Sequence, residues 1–224
     1  MIAKAPVAGR SKTRLCPPCT PAQAAALAEA ALKDTLAAVA ACPARRRLLA
    51  LDGDPGPWLP SGFELLEQRG EGLGERLAHA LAAAGGPALV VGMDTPQLTP
   101  GLLEDAAAAL DSDNVDAVLG PALDGGYWTI GLKHPDAGVF SGVPMSDPDT
   151  CSAQCRRLDE LGLRWTQLPS LHDVDTFADA RLVAEIDPRT RFAATLRALL
   201  EHPAHHEQPV TEAAPGGGLE TPYR

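Results

Sequence analysis

Short apolar runs alternate with alanine-rich stretches of helical periodicity along most of this chain. The clearest strand is the continuously apolar run 87–92 (Pro-Ala-Leu-Val-Val-Gly), which is typical of a strand buried on both faces. The same patterns predict strands over 47–51, 116–119, 127–132 and 164–168, and helices over 21–41, 74–84, 99–110, 151–161, 176–186 and 188–200.

Two of the predicted helices have clear signals at their ends. Thr20 is expected to cap the first helix, with Pro21 at its first position and Gln23 completing a capping box. Gly85 and Gly86 are expected to end the helix over 74–84. These boundaries are therefore predicted from short-range sequence alone.

The alternation of strands and helices predicts an α/β fold with three layers (α/β/α) and a mostly parallel central sheet. In such sheets ligands bind at the carboxyl ends of the strands, so the loops that follow strands are the candidate functional segments. Residues 1–201 are expected to form one domain. Residues 202–224 lose the periodicity and gain Pro, Gly and polar residues, so they are predicted to be a disordered tail.

Charge and composition narrow the functional class. The chain has 224 residues and a formal net charge of -10, which argues against general nucleic-acid binding because such binding needs a spread basic face. No apolar run approaches the roughly 20 residues that span a bilayer, and the N-terminus lacks the layout of a signal peptide. We therefore expect a cytoplasmic protein without nucleic-acid or membrane partners.

The five cysteines are interpreted as reduced thiols, because their number is odd and nothing suggests secretion. Cys16 and Cys19 match C-x-x-C, but no second pair and no nearby histidine pair completes a zinc site. Cys151 and Cys155 are four residues apart on a predicted helix and are expected to share a face. All five are expected to be structural or incidental.

The loop after the first apolar residues is strongly cationic, although the chain as a whole is acidic. Its four cations are Lys4, Arg10, Lys12 and Arg14, and the first acidic residue of the chain is Glu29. Gly9 allows close approach of the backbone, and the cations offer charge-assisted hydrogen bonds to phosphate oxygens. The loop is thus predicted to bind phosphate; a solvated basic turn is the alternative.

Asp94 follows the apolar run 87–92 directly, which places it at the carboxyl edge of the sheet. A hard cation there can take carboxylate oxygens together with phosphate oxygens. Thr95 and Pro96 force the chain to turn at this point. Asp94 is therefore a predicted metal ligand, and simple capping of the turn is the alternative.

The segment Asp124-Gly125-Gly126-Tyr127 precedes an aromatic-led strand and is predicted to contact the substrate. Its two glycines suggest backbone brought close to a ligand, but a plain hairpin turn explains them equally. Further along, Asp173 and Asp175 are two residues apart, so both carboxylates project to one side of an extended segment and suit a shared cation. Capping of the next helix is an equal alternative for Asp175.

Together these loops resemble one known bacterial family. The resemblance rests on Ala3-Lys4-Ala5-Pro6, Gly9-Arg10, Lys12-Thr13-Arg14-Leu15, Gly92-Met93-Asp94-Thr95-Pro96, Gly120-Pro121, Asp124-Gly125-Gly126-Tyr127 and Asp173-Val174-Asp175-Thr176. The family is often labelled as glycosyltransferases associated with arsenosugar- or selenium-related gene clusters, and its members have the GT-A, or nucleotide-diphospho-sugar transferase, fold. The resemblance covers nearly everything up to about residue 200.

A more distant similarity is to the 2-phospho-L-lactate guanylyltransferases, which share a Lys-Thr-Arg-Leu-like loop, a strand-end aspartate and a late Asp-x-Asp. This resemblance implies that Lys12 and Arg14 contact phosphates and that Asp94, Asp173 and Asp175 hold Mg²⁺ or Mn²⁺. Two features depart from these relatives. The first strand has fewer apolar residues, so it is either curtailed or begins upstream, and the central motif is Asp-Thr-Pro where many metal-dependent glycosyltransferases have Asp-x-Asp.

Three functions fit these residues. In nucleotidyl transfer, a phosphate or phosphonate oxygen of the acceptor attacks the α-phosphorus of a nucleoside triphosphate, with Lys12 and Asp94 as catalytic residues. In glycosyl transfer, a nucleoside diphosphate departs and Asp124 is the candidate base. Non-catalytic nucleotide binding is the third. The cation-rich loop favours a triphosphate and hence nucleotidyl transfer.

Overall fold

The computed structural model describes residues 1–201, which contain seven strands and six α-helices. The strands are β1 (Ile2–Lys4), β2 (Leu48–Asp52), β3 (Glu64–Glu67), β4 (Ala88–Val91), β5 (Ala117–Pro121), β6 (Tyr127–Leu132) and β7 (Trp165–Gln167). The helices are α1 (Pro21–Ala41), α2 (Leu73–Ala84), α3 (Pro100–Asp111), α4 (Thr150–Glu160), α5 (Phe177–Ile186) and α6 (Arg191–Glu201). Short 3-10 turns lie at Thr13–Leu15 and Ala137–Phe140.

The strands form two hydrogen-bonded sheets, with the orders β1-β2-β3 and β4-β6-β5-β7. Parallel pairing joins β1 to β2, β2 to β3, and β5 to β7. Strand β6 runs antiparallel to both β4 and β5, because only a short turn separates it from β5. The mostly parallel arrangement expected from the sequence is therefore present, and the four-stranded sheet carries one reversed strand, β6, in its interior.

Helices cover both faces of the strands, as the sequence predicts. Neighbouring residues of β5 alternate between two hydrophobic clusters, since Val118 packs with residues of α1 and α3. Ala117 and Leu119 point the other way and pack with residues of α2 and α4. All three are fully buried. Strand β5 is therefore apolar at successive positions because helices lie on both of its faces, as in a three-layer α/β/α arrangement.

The predicted helix ends are confirmed. The Thr20 side chain accepts from the Gln23 amide at 3.2 Å, and the Thr20 amide donates to Gln23 Oε1 at 2.8 Å. Gly85 ends α2 with a φ of 73°, a conformation that favours glycine. A cap that the sequence does not reveal holds α6: Asp34, in the middle of α1, accepts from the amides of Arg191 and Phe192 at 3.1 and 2.8 Å.

Strand β3 is the main element that the sequence analysis misses. Its residues, Glu-Leu-Leu-Glu, are mostly exposed and form an edge of the β1-β2-β3 sheet, so they lack the apolar run of a buried strand. The predicted tail, 202–224, lies outside the described residues. In residues 1–201 no helix is both long and apolar enough to cross a membrane.

All five cysteines are free thiols. Cys151 and Cys155 share a face of α4, as predicted from their spacing, and pack against the cluster that contains residues of α2 and β5. Burial raises the pKa of the Cys151 thiol to about 11, so little reactive thiolate is present at neutral pH. These properties favour the structural role predicted for the thiols.

Candidate active site

The carboxyl ends of β1, β2 and β4 open onto one cavity of about 690 Å³. Most of the predicted site residues line it: Lys4, Lys12, Arg14, Asp94, Asp124, Gly126, Tyr127, Asp173 and Asp175. A smaller cavity of about 250 Å³ shares the cationic wall formed by Lys4, Lys12 and Arg14, and Arg10, Ser11 and Thr13 also line it. The structure therefore brings together loops that are far apart in the sequence.

The opening loop is folded tightly around Ser11, which is buried. Its hydroxyl accepts from the amide of Val7 at 2.9 Å and donates to the carbonyl of Ala5 at 3.1 Å. Gly9 has a φ of 76° and Lys12 a φ of 50°. A left-handed lysine is uncommon and is found mainly where surrounding structure enforces it, often at functional sites. The sequence analysis did not single out Ser11.

Lys12 reaches from this loop across the ends of the strands. Its Nζ lies 2.6 Å from Asp94 Oδ1, and the side chain is only 11% exposed. The same Nζ donates to the carbonyl of Val174. Lys12 therefore links the opening loop, the β4 loop and the segment that carries the two late aspartates.

Arg14 forms an ion pair with Asp175 through Nη1 and Oδ2. Asp175 does not cap α5, so that alternative is wrong. The cap is Thr176, whose side chain accepts from the amide of Asp179, while the Asp179 carboxylate accepts from the amide of Thr176. The Asp175 carboxylate is left to face Arg14 and both cavities.

The other loop residues have different positions. Lys4 lines both cavities and lies 4.0 Å from Asp52. Arg10 lines only the smaller cavity. Gly9 lines neither, and a Cβ at this position would meet nothing within 4 Å. The close approach of the Gly9 backbone to a phosphate stays a prediction, and the positive φ of this residue already favours glycine.

Asp173 is the most perturbed acid of the site. Burial raises its pKa, and the nearby Asp94 and Asp124 carboxylates raise it further, to about 7, although Lys12 acts in the opposite direction. Its Oδ1 is buried and has no hydrogen-bond partner in the part of the chain that the structure describes. A buried carboxylate oxygen without a donor, surrounded by other carboxylates, is what a divalent cation would neutralise.

The three predicted metal ligands are not grouped around a ready-made ion site in this structure. Within residues 1–201 no group of three or more His, Cys, Asp or Glu side chains is arranged to hold an ion. Asp94 and Asp175 are instead paired with Lys12 and Arg14. The donor set of Asp94, Asp173 and Asp175 fits Mg²⁺ or Mn²⁺ in its chemistry, but two of the three carboxylates must exchange a cationic side chain for the ion.

The glycines between β5 and β6 form the hairpin turn that the sequence analysis kept as an alternative. A Cβ on Gly125, whose φ is 93°, would lie 2.0 Å from the carbonyl oxygen of Pro148, so the close approach here is to the chain itself. Asp124 Oδ1 accepts from the amide of Gly126 at 2.9 Å. Tyr127 is half-buried, and this burial raises its pKa, so it stays a neutral phenol.

Three polar residues that the sequence analysis left without a role surround the late aspartates. Gln97 Nε2 donates to the carbonyl of His172 at 2.7 Å, and His172 Nε2 lies 3.0 Å from Asp179 Oδ1. Burial raises the pKa of Asp179, but the bonds from His172 and Thr176 outweigh it, so the pKa is held below its ordinary value. Only the spacing of Thr176 and Asp179, a capping-box spacing, hinted at this network.

These features define a protein with a nucleotide-diphospho-sugar transferase-like fold and a cavity between a cationic loop and a set of carboxylates. The chain belongs to the family described as "Uncharacterized protein conserved in bacteria (DUF2064)", whose model matches residues 24–147. No curated protein matches the chain in sequence.

Solved structures support this fold. A candidate nucleotide-diphospho-sugar transferase from Desulfovibrio desulfuricans G20 is 28% identical, with a TM-score of 0.81 over 89% of this chain and 94% of its own. The 2-C-methyl-D-erythritol 4-phosphate cytidylyltransferase from Thermus thermophilus is 19% identical, with a TM-score of 0.51 over 83% of this chain and 97% of its own. A CMP:2-keto-3-deoxy-manno-octonic acid synthetase complexed with CTP is 13% identical, with a TM-score of 0.52 over 83% of this chain and 96% of its own.

Proposed function

We propose that this protein is a metal-dependent transferase that acts on a nucleotide-activated substrate. Its most strongly supported reaction is nucleotidyl transfer from a nucleoside triphosphate to a small phosphorylated or phosphonate acceptor. The observation that carries the proposal is the meeting of the cationic loop with Asp94, Asp173 and Asp175 on one cavity. The cavity volume, about 690 Å³, lies in the range of small-molecule sites.

The cationic wall suits a polyphosphate better than a single phosphate. Lys4, Lys12 and Arg14 line the large cavity, and Arg10 extends the same wall around the smaller one. A triphosphate carries about four negative charges, and its leaving pyrophosphate gains charge as the bond to it breaks, so several fixed cations stabilise that transition state. A nucleoside diphosphate needs fewer of them.

The reaction would proceed by displacement at phosphorus. An anionic oxygen of the acceptor forms a bond to the α-phosphorus of the triphosphate, while the bond from that phosphorus to the bridging oxygen of the β-phosphate breaks and pyrophosphate leaves with its electron pair. Because the acceptor oxygen is already ionised, no side chain has to remove a proton. The task of the protein is to position the two anions in line and to neutralise their charge.

Asp94, Asp173 and Asp175 would hold a divalent cation, which supplies positive charge to the phosphate oxygens when it is bound. Lys12 would then leave Asp94 and donate to a phosphate oxygen within reach of the same loop. Arg14 would make the same exchange from Asp175. The residues named above as catalytic, Lys12 and Asp94, thus act as one charge-exchanging pair.

The test is pyrophosphate release from the four common nucleoside triphosphates with Mg²⁺ and a panel of phosphorylated and phosphonate acceptors. Asp94→Asn should lower the rate by about 10²-fold or more, as loss of a preorganised electrostatic contact does, without lowering the melting temperature. Asp54→Asn is the matched control, since Asp54 is exposed on the loop after β2 and lines neither cavity. Full activity of the Asp94 variant would show that Asp94 is not part of the active site.

Glycosyl transfer is the second candidate, and two observations favour it. The Desulfovibrio structure, at 28% identity, is described as that of a nucleotide-diphospho-sugar transferase. Asp124 lines the cavity with one oxygen held by the Gly126 amide, so its other oxygen is available as a base. Release of nucleoside diphosphate from nucleotide sugars, without pyrophosphate release from any triphosphate, would decide for this reaction. The likeness to the phospholactate guanylyltransferases and to the arsenosugar-cluster label remains part of the proposal.

A further inference from the structure

We propose that Asp179 and His172 are positioning residues that hold the segment 173–175 in the shape in which its carboxylates bind a divalent cation. This inference rests on the proposed function, because it concerns the same metal site. Neither residue lines the cavity, so both would act through the aspartates between them.

One carboxylate holds the segment at both of its ends. Asp179 Oδ1 lies 3.0 Å from His172 Nε2, immediately before Asp173. Asp179 Oδ2 accepts from the amide and the hydroxyl of Thr176, both at 2.7 Å, immediately after Asp175. The carboxylate can only accept, so His172 donates from Nε2. The three residues that carry both predicted ligands are therefore closed into a small loop.

The same segment is attached to the β4 loop at two points. Gln97 Nε2 donates to the His172 carbonyl at 2.7 Å, and the amide of Val174 donates to the Asp94 carbonyl at 2.9 Å. These bonds lie on either side of Asp173. The separation between the Asp94 backbone and the late aspartates is thus set before an ion arrives.

Such attachment is needed because the segment brings like charges together. The Oδ1 atom of Asp173 is buried without a partner among the described residues, and the carboxylates of Asp94, Asp124 and Asp175 lie near enough to raise the pKa of Asp173. Carboxylates at this spacing repel one another, and more strongly where burial lowers the effective dielectric constant. Without the network the segment would relax away from Asp94, and the ion would have to restore that geometry at a cost in affinity.

Helix capping does not account for the bond from His172. The box formed by Thr176 and Asp179 already satisfies the start of α5, and His172 lies four residues before that cap. The equivalent box of α1, formed by Thr20 and Gln23, has the two reciprocal bonds and no third side chain among the described residues. The additional partner is found only where the preceding segment carries the candidate ligands.

The experiment is Mn²⁺ binding to the purified full chain, measured by electron paramagnetic resonance, with thermal unfolding as a parallel readout. His172→Phe keeps a ring of similar shape and leaves the capping box intact, so it should weaken Mn²⁺ binding by about tenfold, the lower end of the effect of losing residues that orient metal ligands. His172→Gln, whose amide can still donate to Asp179, should restore most of the affinity.

Asp34→Ala is the matched control, because Asp34 caps α6 by accepting two backbone amides and lines neither cavity. It should lower the melting temperature and leave Mn²⁺ affinity unchanged. If His172→Phe does not fold, Asp179→Asn provides the same comparison, since it keeps an acceptor for Thr176.

Wild-type Mn²⁺ affinity in His172→Phe would overturn the proposal, as would an equal loss in the Asp34 variant. An absence of Mn²⁺ binding by the wild type would overturn it too. Failure of the proposed transferase reaction gives a different result: Mn²⁺ binds and responds to His172, yet no pyrophosphate is released from any triphosphate.

Discussion

Lys12 is the residue on which the separate parts of the candidate site converge. Its backbone is held in a left-handed conformation by the loop around Ser11, and its Nζ contacts both Asp94 and the Val174 carbonyl. Asp173 is less favourably placed, since its Oδ1 is buried near other carboxylates and has no hydrogen-bond partner in the described part of the chain. At this scale the site combines a cation with two close partners, Lys12, and a carboxylate in unfavourable surroundings, Asp173.

Asp173→Asn should make the metal-free protein more stable at alkaline pH. Because the pKa of Asp173 is raised to about 7 in the folded state, the folded chain binds a proton more tightly than the unfolded chain between about pH 4 and pH 7. The corresponding stability is fully present below pH 4 and is lost as the pH rises to 7. The asparagine variant has no such loss.

The measurement is urea unfolding in EDTA at pH 5 and pH 8. We expect the variant to exceed the wild type in free energy of unfolding at pH 8, and the difference to shrink at pH 5, where most of the wild-type carboxyl is protonated. A wild type that is at least as stable as the variant at pH 8 would show that Asp173 is not destabilised by its surroundings.

At the scale of elements, the site is formed where short connections bring strand ends together. The β5–β6 turn packs closely against the start of α4 and the segment before it, and the Cys151 amide donates to the Gly125 carbonyl at 2.8 Å. The same segment includes Ser146, which has a positive φ and lines the large cavity. The wall that contains Asp124 therefore depends on backbone packing between two connections.

Gly125→Ala should disrupt this wall. Its Cβ would lie 2.0 Å from the Pro148 carbonyl oxygen, and backbone cannot move aside as a flexible side chain can. We expect a loss of at least about 3 kcal/mol in the free energy of unfolding, the left-handed conformation costing about 1–2 kcal/mol of it.

Gly142→Ala separates the two effects, because Gly142 also has a positive φ, 75°, but nothing lies within 4 Å of its added Cβ. It should lose only the conformational part, measured by the same urea unfolding. An equal decrease in the free energy of unfolding of the two variants would mean that the contact with Pro148 does not affect stability.

Over the whole molecule, the charges of the site form two sets that satisfy each other. The candidate phosphate-binding residues Lys12 and Arg14 are paired with the candidate metal ligands Asp94 and Asp175. A metal ion alone would leave the two cations without partners, and a polyphosphate alone would leave the two carboxylates without partners. When the metal ion and the polyphosphate bind together, the two carboxylates and the two cations that lose their ion pairs all gain new partners.

Metal and nucleotide should therefore bind cooperatively, with a coupling free energy of about 1–3 kcal/mol. Isothermal titration of Mn²⁺ with and without the preferred nucleotide measures it directly. Arg14→Gln frees Asp175, so the variant should bind Mn²⁺ alone more tightly and the nucleotide more weakly. Arg10→Gln is the control, since Arg10 lines the smaller cavity without an ion pair among the described residues; it should weaken only the nucleotide. Additive binding in the wild type would contradict this account.

Much of the fold was predictable because its signals are local. Thr20 and Gln23 lie within one helical turn of each other, and the run 88–91 is apolar throughout because helices cover both faces of β4. Strand β3 was missed because an exposed edge strand carries no apolar run, and the Asp34 cap was missed because it lies 157 residues from Arg191 in sequence.

The sequence by itself determined most of the elements, the cationic loop and the carboxylates, since periodicity, capping and charge are properties of neighbouring residues. It gave both Asp94 and Asp173 as candidate metal ligands without showing how their surroundings differ. Tertiary structure decided that Asp173 Oδ1 is buried without a hydrogen-bond partner in residues 1–201, and that Asp94 and Asp175 are paired with cations of the opening loop. It decided this because burial and Coulomb interaction depend on distances in space, which only the packing of β1, β4 and the loop before α5 sets.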